Sequence, residues 1–207
     1  MLFRSYDAVK LFERGEPNEA VWSILRSSVR TPDMNIADIE AMIAAVRTGA
    51  RRMLRLVERH GAETVMGAAH YWMDYSERRL RAEIAKIPDG DYSAESFLDD
   101  DGRNFGIPLR VYVTVKKRGD SILIDLTGSA SEVETGYNVP FEGSLKVACY
   151  YIVRTLLLDE AMSAEFIPQN SGMFRPVEVF APRGSLFNPN FPRACFARMA
   201  QIQQIGR

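Results

Sequence analysis

With 207 residues, 46% of them hydrophobic and 26% charged, the chain has ordinary globular composition and enough length to bury a core. A net charge of −1 excludes a global electrostatic pull toward nucleic acid or an anionic membrane, and no apolar run approaches the length of a membrane span. Cys149 and Cys195 are the only cysteines. They make neither a disulfide framework nor a zinc-type cluster, so a reduced, cytoplasmic protein without nucleic-acid or membrane partners is expected.

Residues 1–35 read as an irregular lead-in with a short helix from Asn18 to Arg26, broken by Thr31-Pro32-Asp33. Asn35 is the expected N-cap of a long helix, because its side chain can accept an early helical N–H. Ile36, Ile39, Ile43, Val46, Ala50, Met53 and Val57 repeat at three- and four-residue steps and form one apolar stripe. Gly61 suits the residue that ends it. Arg47, Arg51, Arg52, Arg55 and Arg59 share helical spacing and read as a solvated face rather than a nucleic-acid stripe. A second helix is expected from Glu63 to Lys86, with Val65, Ala69, Trp72, Met73, Ser76, Leu80 and Ile84 inward. Pro88-Asp89-Gly90 ends it, and the two helices should form an antiparallel hairpin over 36–90. Gly49 and Gly67 lie within these helices and are read as marks of close packing.

The apolar period then changes from 3.6 to 2. A strand at Tyr92 to Asp99 precedes Leu109, Val111, Val113 and Val115, which alternate with polar residues. After a turn at Lys117-Arg118-Gly119-Asp120, Ile122, Ile124 and Leu126 alternate again, which predicts a β-hairpin. Arg118-Gly119-Asp120 spells an adhesion tripeptide but consists of what turns use. Ser144 to Asp159 reads as a buried helix carrying Leu145, Ala148, Cys149, Ile152, Leu156 and Leu157. Val177 to Phe180 is a short strand, and Ala194 to Arg207 is helix-like without a cap. The expected fold is α+β: a long antiparallel helical hairpin packed beside a mostly antiparallel β-sheet with an additional helix. Residues 91–207 should form one compact unit with the hairpin.

Several segments carry a resemblance. Val9-Lys10-Leu11-Phe12-Glu13 with Asn18-Glu19, Val29-Arg30-Thr31-Pro32 with Asp38, and Arg47-Thr48-Gly49-Ala50-Arg51-Arg52 come first. Asp74-Tyr75-Ser76-Glu77-Arg78-Arg79 and Asp125-Leu126-Thr127-Gly128-Ser129 follow. The last is Ile167-Pro168-Gln169-Asn170-Ser171-Gly172, running into Phe174-Arg175-Pro176-Val177-Glu178-Val179 and Pro182-Arg183-Gly184-Ser185-Leu186-Phe187-Asn188-Pro189. In this order the set resembles the hydantoinase B/oxoprolinase family. That family includes N-methylhydantoinase B-type subunits, the C-terminal half of 5-oxoprolinase and the alpha subunit of acetone carboxylase. The resemblance implies an ATP-dependent cyclic-amide hydrolase acting with an A-type ATP-binding subunit or fused half, which phosphorylates the substrate. It also implies a divalent metal held upstream of the matched region, so that the chain is an internal fragment, inactive alone. Two alternatives are a ketone carboxylase subunit of the acetone carboxylase type and a non-catalytic assembly module docked through its helical hairpin.

The chemistry follows from the substrate. An unstrained lactam needs carbonyl activation, and a site receiving its phosphorylated form needs arginines, backbone N–H groups and amides. Asn138, Asn170, Arg175, Asn188 and Arg198 are the substrate-binding candidates. Against this stands a structural role: turn formation for the asparagines, and pairing with Glu178 or a loop carbonyl for Arg175. His60 and His70 lie ten residues apart and make no metal constellation. Asp99-Asp100-Asp101-Gly102 lacks the ligand alternation of an EF-hand and reads as a polar connection. Cys149 is expected in the core, and Cys195 is a weak nucleophile candidate beside Arg193.

Overall fold

A computed structural model describes residues 9–158, 166–196 and 205. The described residues fall into two compact units, one up to Ala68 and the other from Ala69 onward. Among them, no helix is long and apolar enough to cross a membrane.

In the first unit, β1 (Phe12–Glu13) and β2 (Glu16–Pro17) form a minimal hairpin. Its turn uses Arg14 and Gly15 at φ of 51° and 93°. Helix α1 (Glu19–Ser28) follows, with Asn18 at the N-cap and Trp22 buried. Helix α2 runs Pro32–His60, four residues longer at its start than the sequence predicts. The reason is local. Pro32 occupies the first turn, where its missing N–H costs nothing, so it initiates the helix instead of breaking the chain. Thr31 is the N-cap, and Asn35 instead donates from Nδ2 to the Thr31 carbonyl and hydroxyl. Gly61 ends α2 at φ 80°, its N–H donating to Val57 O.

The predicted inner stripe of α2 is buried only at its start. Ile36 is covered, whereas Val46 is 73% exposed and Met53 54% exposed. Gly49 and Gly67 have open space where a Cβ would stand, so neither marks close packing. Amphipathic spacing reports that a face needs cover, but not which atoms supply it.

Helix α3 (Ala62–Ile84) contributes Ser76, Leu80 and Ile84 to the buried interior of the second unit. A four-stranded sheet follows in the order β3 (Gly90–Leu98), β4 (Leu109–Arg118), β5 (Ser121–Asp125), β6 (Val177–Phe180). The first three strands pair antiparallel, and β5 pairs parallel with β6. A parallel partner requires a long crossover, which here contains α4 (Lys146–Leu157). The expected alternation holds: Leu109, Val111 and Val113 are buried between Arg110, Tyr112 and Thr114. With Cys149 and Val153 of α4, and Leu126, Leu145, Met173, Leu186 and Phe187, they form one core. Each fully buried large side chain contributes roughly 1.5–3 kcal/mol. The fold is α+β with a mostly antiparallel sheet.

Two features hold the hairpin. Lys117, buried to 4% exposure, donates to Asp89 Oδ1 at 2.8 Å, and the same oxygen accepts from Gly119 N–H. Asp120 of the adhesion-like tripeptide accepts from Arg81 at 2.9 Å, so the tripeptide is built into the fold. Before α4 an irregular turn at Phe141–Leu145 places Gly143 at φ 83°. The predicted terminal helix lies largely outside the described residues. Near its expected start, Cys195 instead forms an isolated antiparallel bridge to Tyr137.

Candidate functional site

Helix α3 and the segment 168–175 interlock along one turn of the helix. The buried Ser76 hydroxyl donates to Pro168 O at 3.0 Å. Asn170 caps the short helical turn Ser171–Phe174, its Oδ1 accepting from Gly172 N–H at 2.9 Å. Its Nδ2 donates to Ser76 Oγ at 2.9 Å and Trp72 O at 3.2 Å. Gly172 lies so close to α3 that an added Cβ would stand 1.9 Å from Met73 O. Arg175 Nη1 then donates to Asp74 Oδ1 at 2.7 Å and Glu77 Oε2 at 2.8 Å.

Arg175 therefore pairs with α3 and not with Glu178, which alternates to the exposed side of β6. The Glu77 carboxyl is held below the usual carboxylate range, first by its hydrogen bond from Arg175 and then by Arg81. Arg81 continues the chain of charges to Asp120. Two motifs about a hundred residues apart in sequence thus become one rigid element.

That segment also forms a wall. Gln169, Met173 and Phe174 line an open cavity of about 500 Å³ with Glu142, Ser144, Tyr150, Tyr151 and Arg154. Phe174 stacks on Tyr150 at 4.2 Å between ring centroids and 11° between planes. Burial pushes the Tyr150 hydroxyl upward, so it stays a neutral donor. Lys146 Nζ is held by Glu142 Oε1 at 2.7 Å. The cavity size suits a small ligand. A flat apolar surface beside a phenol, an arginine and an amide can hold a compact ring with polar edges.

Of the sequence-derived candidates, the structure brings only Asn170 and Arg175 onto one element among the described residues, helix α3. Asn138 is fully buried: Oδ1 accepts from Val133 N–H, and Nδ2 donates to the carbonyls of Val133, Thr135 and Ala194. Asn188 Nδ2 donates to Ala181 O, while its backbone carbonyl accepts from Gly184 N–H. Arg198 lies outside the described residues. Sequence reasoning missed Tyr150, Tyr151 and Arg154, although with Val147 they repeat at three- and four-residue steps. That second stripe on α4 was the available signal.

The remaining titratable groups occupy structural positions. Burial pushes the Cys149 thiol up to about 12, which makes it inert. Cys195 Sγ lies 3.7 Å from Arg193 O, and the Arg193 guanidinium is engaged by Glu132 at 3.0 Å. Asp101 is buried and accepts from the N–H groups of Arg103 and Asn104 and from the Asn104 side chain. His60 and His70 are exposed, and no group of three His, Cys, Asp or Glu among the described residues could hold a metal. The described residues do not fit the divalent metal that the family resemblance implies.

The sequence model of the hydantoinase B/oxoprolinase family matches residues 5–206. A Pseudomonas sp. (strain NS671) protein, named as the B-type subunit of a "Putative D-/L-hydantoinase", is 41% identical over 197 residues, 93% of this chain and 33% of that protein. The acetophenone carboxylase delta subunit of Aromatoleum aromaticum is 27% identical over 166 residues, 80% of this chain and 23% of that protein. The solved structure of the ATP-dependent caprolactamase from Pseudomonas jessenii superposes with a TM-score of 0.81 and 25% identity, covering 96% of this chain and 33% of that one. The chain thus spans a third or less of each of these relatives. The match to the family model runs almost the whole length of the sequence, and the chain belongs to the hydantoinase B/oxoprolinase family.

Proposed function

We propose that this chain forms part of the B-type subunit of an ATP-dependent cyclic-amide hydrolase of the hydantoinase/5-oxoprolinase kind. The observation that carries this reading is the 41% identity to a hydantoinase B-type subunit across nearly all of the chain. An A-type subunit or fused half would bind ATP and phosphorylate the amide oxygen, making the carbonyl an electrophile. The B-type part would then hold the anionic intermediate while a nucleophile opens the ring. In this reading the α4 cavity holds the ring against Phe174 and Tyr150, with Arg154 and Gln169 at its polar edges. Asn170 and Arg175 act by fixing the segment that forms the cavity wall. Asn138 and Asn188 fix the loops on either side of it in sequence, and Arg198 is the further candidate for binding the anion. This chain by itself is inactive.

A second reading, a ketone carboxylase subunit, is favoured by the acetophenone carboxylase relative. A third, an assembly module, is favoured by the exposed apolar side chains of α2. The deciding experiment uses the full-length native protein with its A-type partner. ADP release is followed with hydantoin, N-methylhydantoin, 5-oxoproline, or acetone plus bicarbonate. Release coupled to ring opening is the expected result. Turnover with ketone and bicarbonate alone transfers the protein to the carboxylase reading, and silence with all four overturns both.

A further inference from the structure

The unit that ends at Ala68 carries a separate cavity of about 510 Å³, lined from β1, α1 and α2. Its floor is aromatic. Phe12 and Trp22 meet edge to face at 6.1 Å, and Trp22 is fixed by a hydrogen bond from Nε1 to Leu11 O at 3.1 Å. Arg26 lies 5.9 Å from the Trp22 ring, and Arg47 lies 4.8 Å from the Phe12 ring. Arg51, one turn beyond Arg47, lines the same cavity and donates to Thr48 Oγ1 at 3.0 Å.

Three guanidinium groups from two helices therefore line one cavity. None of them forms an ion pair with a described carboxylate. In the other unit Arg81, Arg103, Arg110, Arg118, Arg175 and Arg193 each do. Arg47 and Arg51 also repel each other at this spacing. A guanidinium over a ring uses its π face there and keeps N–H donors for an oxyanion, whose geometry its fork matches. Glu19 and Glu40 line the same cavity and leave one net positive charge. That balance suits a single oxyanion and disfavours a polyanion such as nucleic acid.

We infer that this cavity is a binding site for a small molecule bearing one carboxylate or phosphate group. The oxyanion lies between Arg47 and Arg51 with Arg26 across from them, and the uncharged part covers Phe12 and Trp22. The site is independent of the α4 cavity and of the reaction proposed above.

The test uses the 207-residue chain with Trp72→Phe, which leaves Trp22 as the only tryptophan. Inorganic phosphate and phenylacetate are titrated separately at constant ionic strength against sodium chloride, following Trp22 emission and binding heat. Saturable binding of either probe is expected, and the tighter one identifies the anion class. Arg47→Gln should weaken it at least tenfold. Arg55→Gln, on the same helix but not lining the cavity, should leave it unchanged, with circular dichroism equal in all variants. A response reproduced by chloride, absent for both probes, or equally affected by the two substitutions overturns the inference.

Discussion

Gly172 and Asn138 are the positions where a single atom decides most. Gly172 is required by proximity and not by backbone angle. The position a Cβ would take is 1.9 Å from Met73 O, and the nearest atoms are all helix backbone, which leaves nothing flexible to yield. Gly172→Ala should therefore cost about 1–3 kcal/mol, the range for overpacking, in a chemical denaturation experiment. Gly49→Ala, in open space on α2, should be neutral or stabilising by up to about 1 kcal/mol. If the two alanines behave alike, the interlock of 168–175 with α3 is wrong. Asn138 differs in kind. Its amide serves one backbone N–H and three carbonyls in a fully buried position. Asn138→Ala strands those groups, at a cost of about 4 kcal/mol or more, each orphaned group costing about 1–3 kcal/mol. Neither role is legible in the sequence. Asn at a turn and Gly beside Ser look the same whether they bind a ligand or another part of the chain. What distinguishes the two is the part of the chain that returns to the residue: helix α3, about a hundred residues away, for Gly172, and Ala194, 56 residues away, for Asn138.

At the scale of elements, the sequence pattern locates every strand of the main sheet and the helices α1 to α4, most clearly in β4 and β5, where one face lies in the core and the other faces out. It fails at ends and at long range. Pro32 reads as a breaker and is an initiator, since proline suits a first helical turn and no later one. The partner of Arg175 is expected within a few residues and lies on α3. That ion pair makes the stability of the second unit depend on pH in a definite direction. Glu77 has its folded-state value depressed by Arg175 and Arg81. A depressed carboxylate contributes stability that is fully present above its ordinary range near 4.5 and is lost as pH falls through the folded-state value. Glu77→Gln should thus lower the midpoint at pH 7 by about 2–4 °C, for a loss of about 1 kcal/mol. The gap between variant and parent should close as pH falls through that folded-state value, where the parent carboxylate is itself protonated. A gap that stays constant between pH 7 and pH 3 would remove the ion pair as its cause.

For the whole molecule, the decisive quantity is how much of the machine this chain supplies. It spans 33% of the hydantoinase B-type subunit it resembles, and the proposed carbonyl activation belongs to another subunit. Its described residues offer a shaped cavity with aromatic, phenolic and cationic walls, and a thiol that burial has made inert. Such a set can position a ring but does not by itself activate an unstrained amide. Ring opening of hydantoin or 5-oxoproline by the isolated chain should therefore stay at the buffer rate, and an enzymatic rate from the chain alone would refute the proposed division of labour. The cavity is tested in the assembled enzyme. Arg154→Gln removes a charge from the cavity wall without touching the interlock of Ser76, Asn170 and Arg175. If the ring sits against Phe174 and Tyr150, this change should raise KM for the cyclic amide about tenfold, the equivalent of about 1.4 kcal/mol of binding. ATP-dependent steps on the A-type partner should continue at their own rate. If KM is unchanged while ADP release persists, the substrate lies elsewhere in the subunit and the α4 cavity is a feature of packing alone.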